Sequence, residues 1–237
     1  MAYKIPQIIH YTFKNYNLPK EIIDGMEQNK KMCPHCEFRF YDDVACEEFI
    51  KGNFPKQVFD AYKKLNPIYG AMKADFFRYC VLYILGGIYI DIKVKIKVPI
   101  FSLISPDDIC ILDAPKRLEP MRNCSKPTYE QWLLIFAPGH PYLRCMIKLM
   151  MHYIKIRYEP TQICNIVLNT KQKILNVTGP DAFSRAIYIS NSKHKQILHR
   201  HINYTNYFVR AGTSNYKNMY TKNGEKHYSE YREKLYI

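Results

Sequence analysis

The sequence predicts an α/β fold, and three of its features do so. Short apolar runs of strand length alternate with segments whose apolar residues recur at helical spacing. One such helical segment ends at Gly86-Gly87 and passes directly into an alternating run from Ile88 to Val98. The 237 residues are enough to bury most of the surface of the unfolded chain without a disulfide or metal staple. No internal repeat or flexible linker divides the chain, so 1–237 reads as one domain with a basic, irregular C-terminal part from about 190.

Ile5 to Phe13 is a short apolar run ending in aromatic and polar residues, a buried strand entering a loop. Leu18-Pro19 opens a helix through Ile22, Ile23 and Met26. Phe38 to Tyr41 is a second strand, and Asp42 or Asp43 caps the helix after it, through Phe49. Pro55 to Leu65 is another helix. Asn66 as cap and Pro67 at the first helical position start the next, which runs through Ala71, Asp75, Arg78 and Leu82. Gly86-Gly87 ends it, because glycine accepts the left-handed conformation past a helix end.

From Ile88 to Val98 the alternation is unbroken, with Ile88, Ile90, Ile92, Val94, Ile96 and Val98 on one face. Tyr89, Asp91, Lys93, Lys95 and Lys97 form the other, and Pro99 ends the strand. Beyond residue 100 the pattern weakens. Strands are expected at Ile109–Leu112 and Trp132–Phe136, a turn at Pro138-Gly139, and a loop over 117–128. Leu143 to Ile154 has helical spacing, and Thr178-Gly179-Pro180 precedes a helix through Ala182 and Ile187.

Lys and Arg number 35 against 21 Asp and Glu, a formal charge of +14 that favours an anionic partner: nucleic acid, acidic lipid or a phosphorylated small molecule. Composition excludes disorder, collagen and coiled coil. No run reaches the roughly 20 apolar residues of a membrane span. The N-terminus lacks a signal peptide's apolar core, so the chain reads as cytoplasmic or as a piece of something longer. The cysteine pair Cys33-Pro-His-Cys36 falls between a helix and a strand and reads as a loop pair, not a redox motif. The basic run from Lys193 to His201 reads as a solvated face, with phosphate contact as its alternative.

Asp75, Arg78, Gly86-Gly87 and Asp91 lie close together in the chain. Asp75 and Arg78, three apart on a helix, share a face, and Asp91 is on the polar side of the strand that follows. An acid, a guanidinium and a second acid at the carboxyl end of a strand suit a sugar attached to a diphosphate. On spacing alone, the same residues also read as a surface ion pair worth at most about 1 kcal/mol beside a half-solvated strand.

The stretches Ile5-Pro-Gln-Ile-Ile-His-Tyr-Thr-Phe and Ala74-Asp-Phe-Phe-Arg-Tyr-Cys-Val-Leu-Tyr-Ile-Leu-Gly-Gly-Ile-Tyr-Ile-Asp resemble the Och1-like sugar transferases of glycosyltransferase family 32, which carry a DXD motif. The similarity is clear over about 5–100 and fainter from Trp132 to Pro180. It implies a GT-A, Rossmann-like fold with a mixed, mainly parallel sheet and helices on both faces. It also implies sugar transfer from a UDP- or GDP-sugar to a glycan or glycoconjugate, usually with retention at the anomeric carbon. By the same resemblance Phe13 stacks on the nucleotide base and His10 belongs to the same donor-binding motif. Asp75 and Arg78 hold the donor sugar and its phosphate side, next to Gly86 and Gly87. Asp91 is the first motif acid, and Thr178-Gly179 lies in a loop near the cleft. The small stand-alone members of such families occur in bacteria and large DNA viruses.

Where the motif has its second acid, this chain has Lys93, in Asp91-Ile92-Lys93. That acid normally binds Mn²⁺ or Mg²⁺, and a lysine ammonium offers a hard cation no oxygen. Three outcomes stay open. Lys93 stands in for the ion, with Asp91, Lys93 and Arg78 as the catalytic set. Asp91 and a tail residue, His227 or Ser229, still bind a divalent metal. Or the chain is a degenerate member. The competing functions are a non-catalytic nucleotide-sugar or glycan-binding protein and, with no recognition motif behind it, a basic nucleic-acid-binding domain.

Overall fold

The computed structural model describes residues 2–113, 128–163, 166–193, 199–210 and 226–237. Except for Thr128, the loop expected over 117–128 lies outside them, as do 194–198 of the basic run. The chain begins β1 (Ile8–Thr12), α1 (Lys20–Met32), β2 (Glu37–Tyr41), α2 (Asp43–Asn53), α3 (Lys56–Lys63). Pro19 and Pro55 stand immediately before α1 and α3, where a missing N–H breaks no helical bond. Asp42 caps α2, its carboxylate accepting the Ala45 N–H at 2.8 Å.

α4 (Gly70–Leu85) starts later than its sequence signal. The Asn66 side chain does not cap it. Asn66 accepts the Ile68 N–H at 3.2 Å and donates to the Lys234 carbonyl at 2.8 Å, tying the C-terminal tail to the turn before the helix. Gly86 closes α4 at φ +65°.

The alternating run that follows is two strands, β3 (Gly87–Ile90) and β4 (Val94–Ile96). The Val94 N–H turns back to the Asp91 carbonyl at 2.9 Å. Ile88, Ile90, Ile92, Val94 and Ile96 are nonetheless all buried in one core, so the alternation carries no trace of the turn. β4 leaves the main sheet because Asn29 of α1 takes its backbone: Asn29 donates to the Val94 carbonyl and accepts the Ile96 N–H, both at 2.8 Å.

The remainder is β5 (Cys110–Asp113), β6 (Leu133–Phe136), α5 (Pro141–Lys155), the short hairpin β7 (Gln162–Ile163) and β8 (Ile166–Val167), then α6 (Thr170–Val177), α7 (Pro180–Lys193), β9 (Arg200–Ile202), α8 (Tyr204–Tyr207) and β10 (Phe208–Arg210). α6 was not expected. Its apolar residues are sparse, and it starts at a capping box formed by Asn169 and Gln172. β9 and β10 are three residues each, too short and polar for periodicity to show, yet both pair with other strands.

The main sheet has the order β2-β1-β3-β6-β5-β9. β1 is parallel to β2 and β3, β5 is parallel to β9, and β6 runs antiparallel to β3 and β5. It is therefore mixed and mainly parallel. One face packs on α2 to α7 around Phe76, Phe77, Leu82, Met146 and Phe183. The other packs on α1, α8 and the β4–β10 ribbon around Ile9, Ile90, Ile135 and Tyr204. No helix among the described residues is long and apolar enough to cross a membrane. The parallel strands β1, β2 and β3 end together, and Phe13, Asp42 and Asp91 follow those ends.

Candidate active site

α4 delivers Asp75 and Arg78, and the glycine turn sends β3 back so that Asp91 emerges beside them. The turn leaves no room for a side chain. A Cβ on Gly87, at φ +94°, would lie 2.6 Å from the Ile8 carbonyl oxygen, and one on Gly86 would lie 2.6 Å from Pro138. His10 holds this turn. Its Nε2 donates to the Gly86 carbonyl at 2.9 Å, while Nδ1 accepts the Tyr41 hydroxyl at 3.4 Å. Burial lowers its pKa to about 4, so the ring is neutral. At 0% exposure, His10 packs behind the glycine turn and supports the site from there.

Asp75 and Arg78 are 4% and 6% exposed. Arg78 Nη2 lies 3.1 Å from Asp75 Oδ1 and 3.4 Å from Asp91 Oδ1, and its guanidinium sits 4.5 Å above the Tyr89 ring. The same guanidinium donates to the Gln131 carbonyl at 2.7 Å. Gln131 Nε2 donates to Asp75 Oδ1 at 3.0 Å and Thr178 Oγ1 donates to Asp75 Oδ2 at 2.8 Å. The Tyr79 hydroxyl donates to the Gln131 side-chain oxygen. Burial raises the Asp75 carboxyl to about 6, against the pull of Arg78 and Thr178. These are not the partners of a surface ion pair. Asp75 and Arg78 form a satisfied buried network beneath Asp91.

Sequence reasoning missed Gln131, Tyr79 and Tyr89. Gln131 arrives because β6 is antiparallel to β3 with Ile90 opposite Leu133, a pairing with no local signal. Of the Thr178-Gly179 pair, Thr178 joins the network, whereas Gly179 lets α6 and α7 meet: a Cβ there would lie 2.6 Å from the Leu175 Cα.

Asp91 is the exposed end of the network, with 21% of its side chain open. Its backbone N–H donates to the Trp132 carbonyl at 2.8 Å. Its second oxygen faces Arg210 of β10, with Nη2 at 3.8 Å, and that guanidinium lies 6.0 Å from the Trp132 ring. Lys93, in the turn after Asp91, has its pKa lowered first by burial and then by Arg210. Phe13, just past the end of β1, is partly buried against the core on the α1 side.

These residues do not fit a divalent cation. Asp91 already faces two guanidiniums, and its motif partner is Lys93. Among the described residues no group of three or more His, Cys, Asp or Glu could hold a metal ion. His227 caps a turn, its Nδ1 2.8 Å from the Ser229 hydroxyl. Unit charges about 4 Å apart at an effective dielectric near 20 interact by about 4 kcal/mol, and a divalent ion doubles that against each neighbouring cation.

The mixed, mainly parallel sheet with helices packed on both faces is the GT-A arrangement. The fold is similar to that of the PaToxG glycosyltransferase, with a TM-score of 0.56 at 16% identity over 78% of this chain and 69% of that one. Part of the sequence is similar to the DXD-motif glycosyltransferases. Residues 19–110 match the family described as the glycosyltransferase sugar-binding region containing DXD motif. The mannosyl phosphorylinositol ceramide synthase CSH1 of Saccharomyces cerevisiae is 28% identical over 66% of this chain and 38% of that protein. The initiation-specific alpha-1,6-mannosyltransferase of Candida albicans is 30% identical over 73% of this chain and 48% of that protein. The chain thus spans less than half the length of these curated relatives.

Proposed function

We propose that this protein is a glycosyltransferase that moves a sugar from a nucleoside-diphosphate sugar to a glycan or glycoconjugate with retention at the anomeric carbon. The observation that carries this reading is the network of Asp75, Arg78, Gln131 and Thr178, which holds Asp91 at the exposed end of β3. Asp91 is the acid that touches the donor, accepting hydrogen bonds from its sugar or ribose hydroxyls. Asp75 and Arg78 are positioning residues that fix its carboxylate. Phe13, at the adjacent strand end, offers a face to the base. Lys93 lies where the diphosphate leaves. The anomeric carbon–oxygen bond to the diphosphate breaks, the acceptor oxygen bonds to that carbon from the same face, and its proton passes to the departing phosphate oxygen. No protein base is needed.

The names of the two curated relatives favour a mannosyl donor. The test incubates the chain with GDP-mannose and with common UDP-sugars and measures nucleoside diphosphate release with and without candidate acceptors. Release by wild type and its loss in Asp91→Asn support the reading, and no release with any donor counts against it. Lys93 in place of the second motif acid favours a second reading, a donor-binding protein without transfer, which predicts saturable nucleotide-sugar binding and no release.

A further inference from the structure

The sequence directs a search for the missing motif ligand to the tail, at His227. Among the described residues, the one from the C-terminal part that reaches Asp91 is a cation. β10 runs antiparallel to β4 with Arg210 opposite Val94, one residue past Lys93. This register brings a guanidinium from more than a hundred residues downstream to 3.8 Å from Asp91. Arg78 is committed to Asp75, Gln131 and Tyr89. Arg210 differs: 43% of its side chain is exposed, and its pairing with Asp91 is long. Arg210 and Lys171 of α6 both bear on the Lys93 ammonium. Among the described residues, the exposed edge of the site is thus a concentration of positive charge around the partly open Asp91 carboxylate.

We propose that Arg210 and Lys93 together take the place of the divalent ion and bind the donor's diphosphate directly, so that the site works without metal. This rests on the glycosyltransferase reading above. The planar guanidinium of Arg210 presents paired N–H donors that match one non-bridging oxygen on each phosphate. Lys93 adds a point charge from the other side of the turn. As the anomeric carbon–oxygen bond breaks, the electron pair goes to the departing phosphate, and two fixed cations stabilise it without reorganisation. Asp91 gives up its weak contact with Arg210 and keeps Arg78.

The test is titration calorimetry of the full chain with UDP and GDP, and with UMP and GMP as comparators, in EDTA and in excess Mn²⁺. The expected result is a diphosphate affinity that changes less than about threefold between the two conditions, under 1 kcal/mol. Arg210→Gln should weaken the diphosphate at least about tenfold, and several-fold more than the monophosphate, which offers the fork only one phosphate. A merely structural loss of β10 would weaken both alike. Arg210→Lys keeps charge and strand but loses the fork, and is expected between the two. Diphosphate binding by wild type that requires Mn²⁺ would overturn metal independence while leaving the glycosyltransferase reading standing. Equal weakening of mono- and diphosphate in Arg210→Gln would overturn the role of Arg210. If wild type binds neither diphosphate under either condition, the donor site itself is refuted.

Discussion

Replacing Thr178 with valine removes one hydroxyl and little else, and the structure says what that hydroxyl does. Thr178 is fully buried, and its Oγ1 donates to Asp75 Oδ2 at 2.8 Å. A hydrogen bond to a charged group contributes about 1.5–3 kcal/mol, which in a chain of this size lowers Tm by about 3–12 °C. The loss depends on pH. Burial raises Asp75 from 3.8 to about 6, and Thr178 is among the groups that oppose the rise. An acid that ionises less readily in the fold than in the unfolded chain subtracts stability as pH climbs from about 4 to above 6. Without Thr178 the folded value rises further and the subtraction grows. The gap in Tm between wild type and Thr178→Val should therefore be widest near about pH 8. It should narrow by about pH 5, where Asp75 is protonated in both folded proteins. Differential scanning fluorimetry across that range measures it. A gap of the same size at both ends, or one below about 1 °C at about pH 8, would refute the network as described.

Gly87→Ala drives a Cβ to 2.6 Å from the Ile8 carbonyl at a left-handed φ, and should cost about 3 kcal/mol or more. Gly52→Ala in α2, where nothing lies within 4 Å, should gain about 0.5 kcal/mol, so equal melting temperatures for the two variants would contradict the packing at the turn. Asp91→Asn should leave stability within about 1 kcal/mol because the carboxylate is partly open, yet lower transfer at least about 100-fold. Transfer within threefold of wild type, about 0.7 kcal/mol, would remove Asp91 from the donor site. Burial lowers His10 to about 4 and His140 to about 3, so between about pH 6.5 and 4 the unfolded chain binds more protons and stability falls as the pH falls. Asp75 opposes this with a single group. Urea midpoints should drop from about pH 7 to 5; a midpoint that holds or rises would show that these histidines are not buried as neutral rings.

Much of the fold was legible because local chemistry and global structure agree in the first hundred residues. Pro19, Asp42 and Gly86 mark helix ends by rules that act within one turn, and the packed apolar face of Ile88 to Ile96 reads directly as alternation. The nearness of Asp75, Arg78 and Asp91 was legible for the same reason: one helix, one turn and one strand carry all three.

What the sequence could not show is whatever depends on strands meeting from far apart. The break at Asp91 is invisible in an alternation that continues through it, since the turn keeps each isoleucine facing the same core. Gln131 and Arg210 carry no local mark. One is brought in by the antiparallel register of β6 and the other by a three-residue strand paired with β4. The family resemblance implies that Asp75 and Arg78 hold the donor. In the structure both lie beneath Asp91, because a carboxylate and a guanidinium are held that deep only when nearly every hydrogen-bonding position is filled from other elements. Residue types and short-range spacing settled which groups stand near the strand end. Strand pairing over long separations decided which of them face the solvent and with what charge around them.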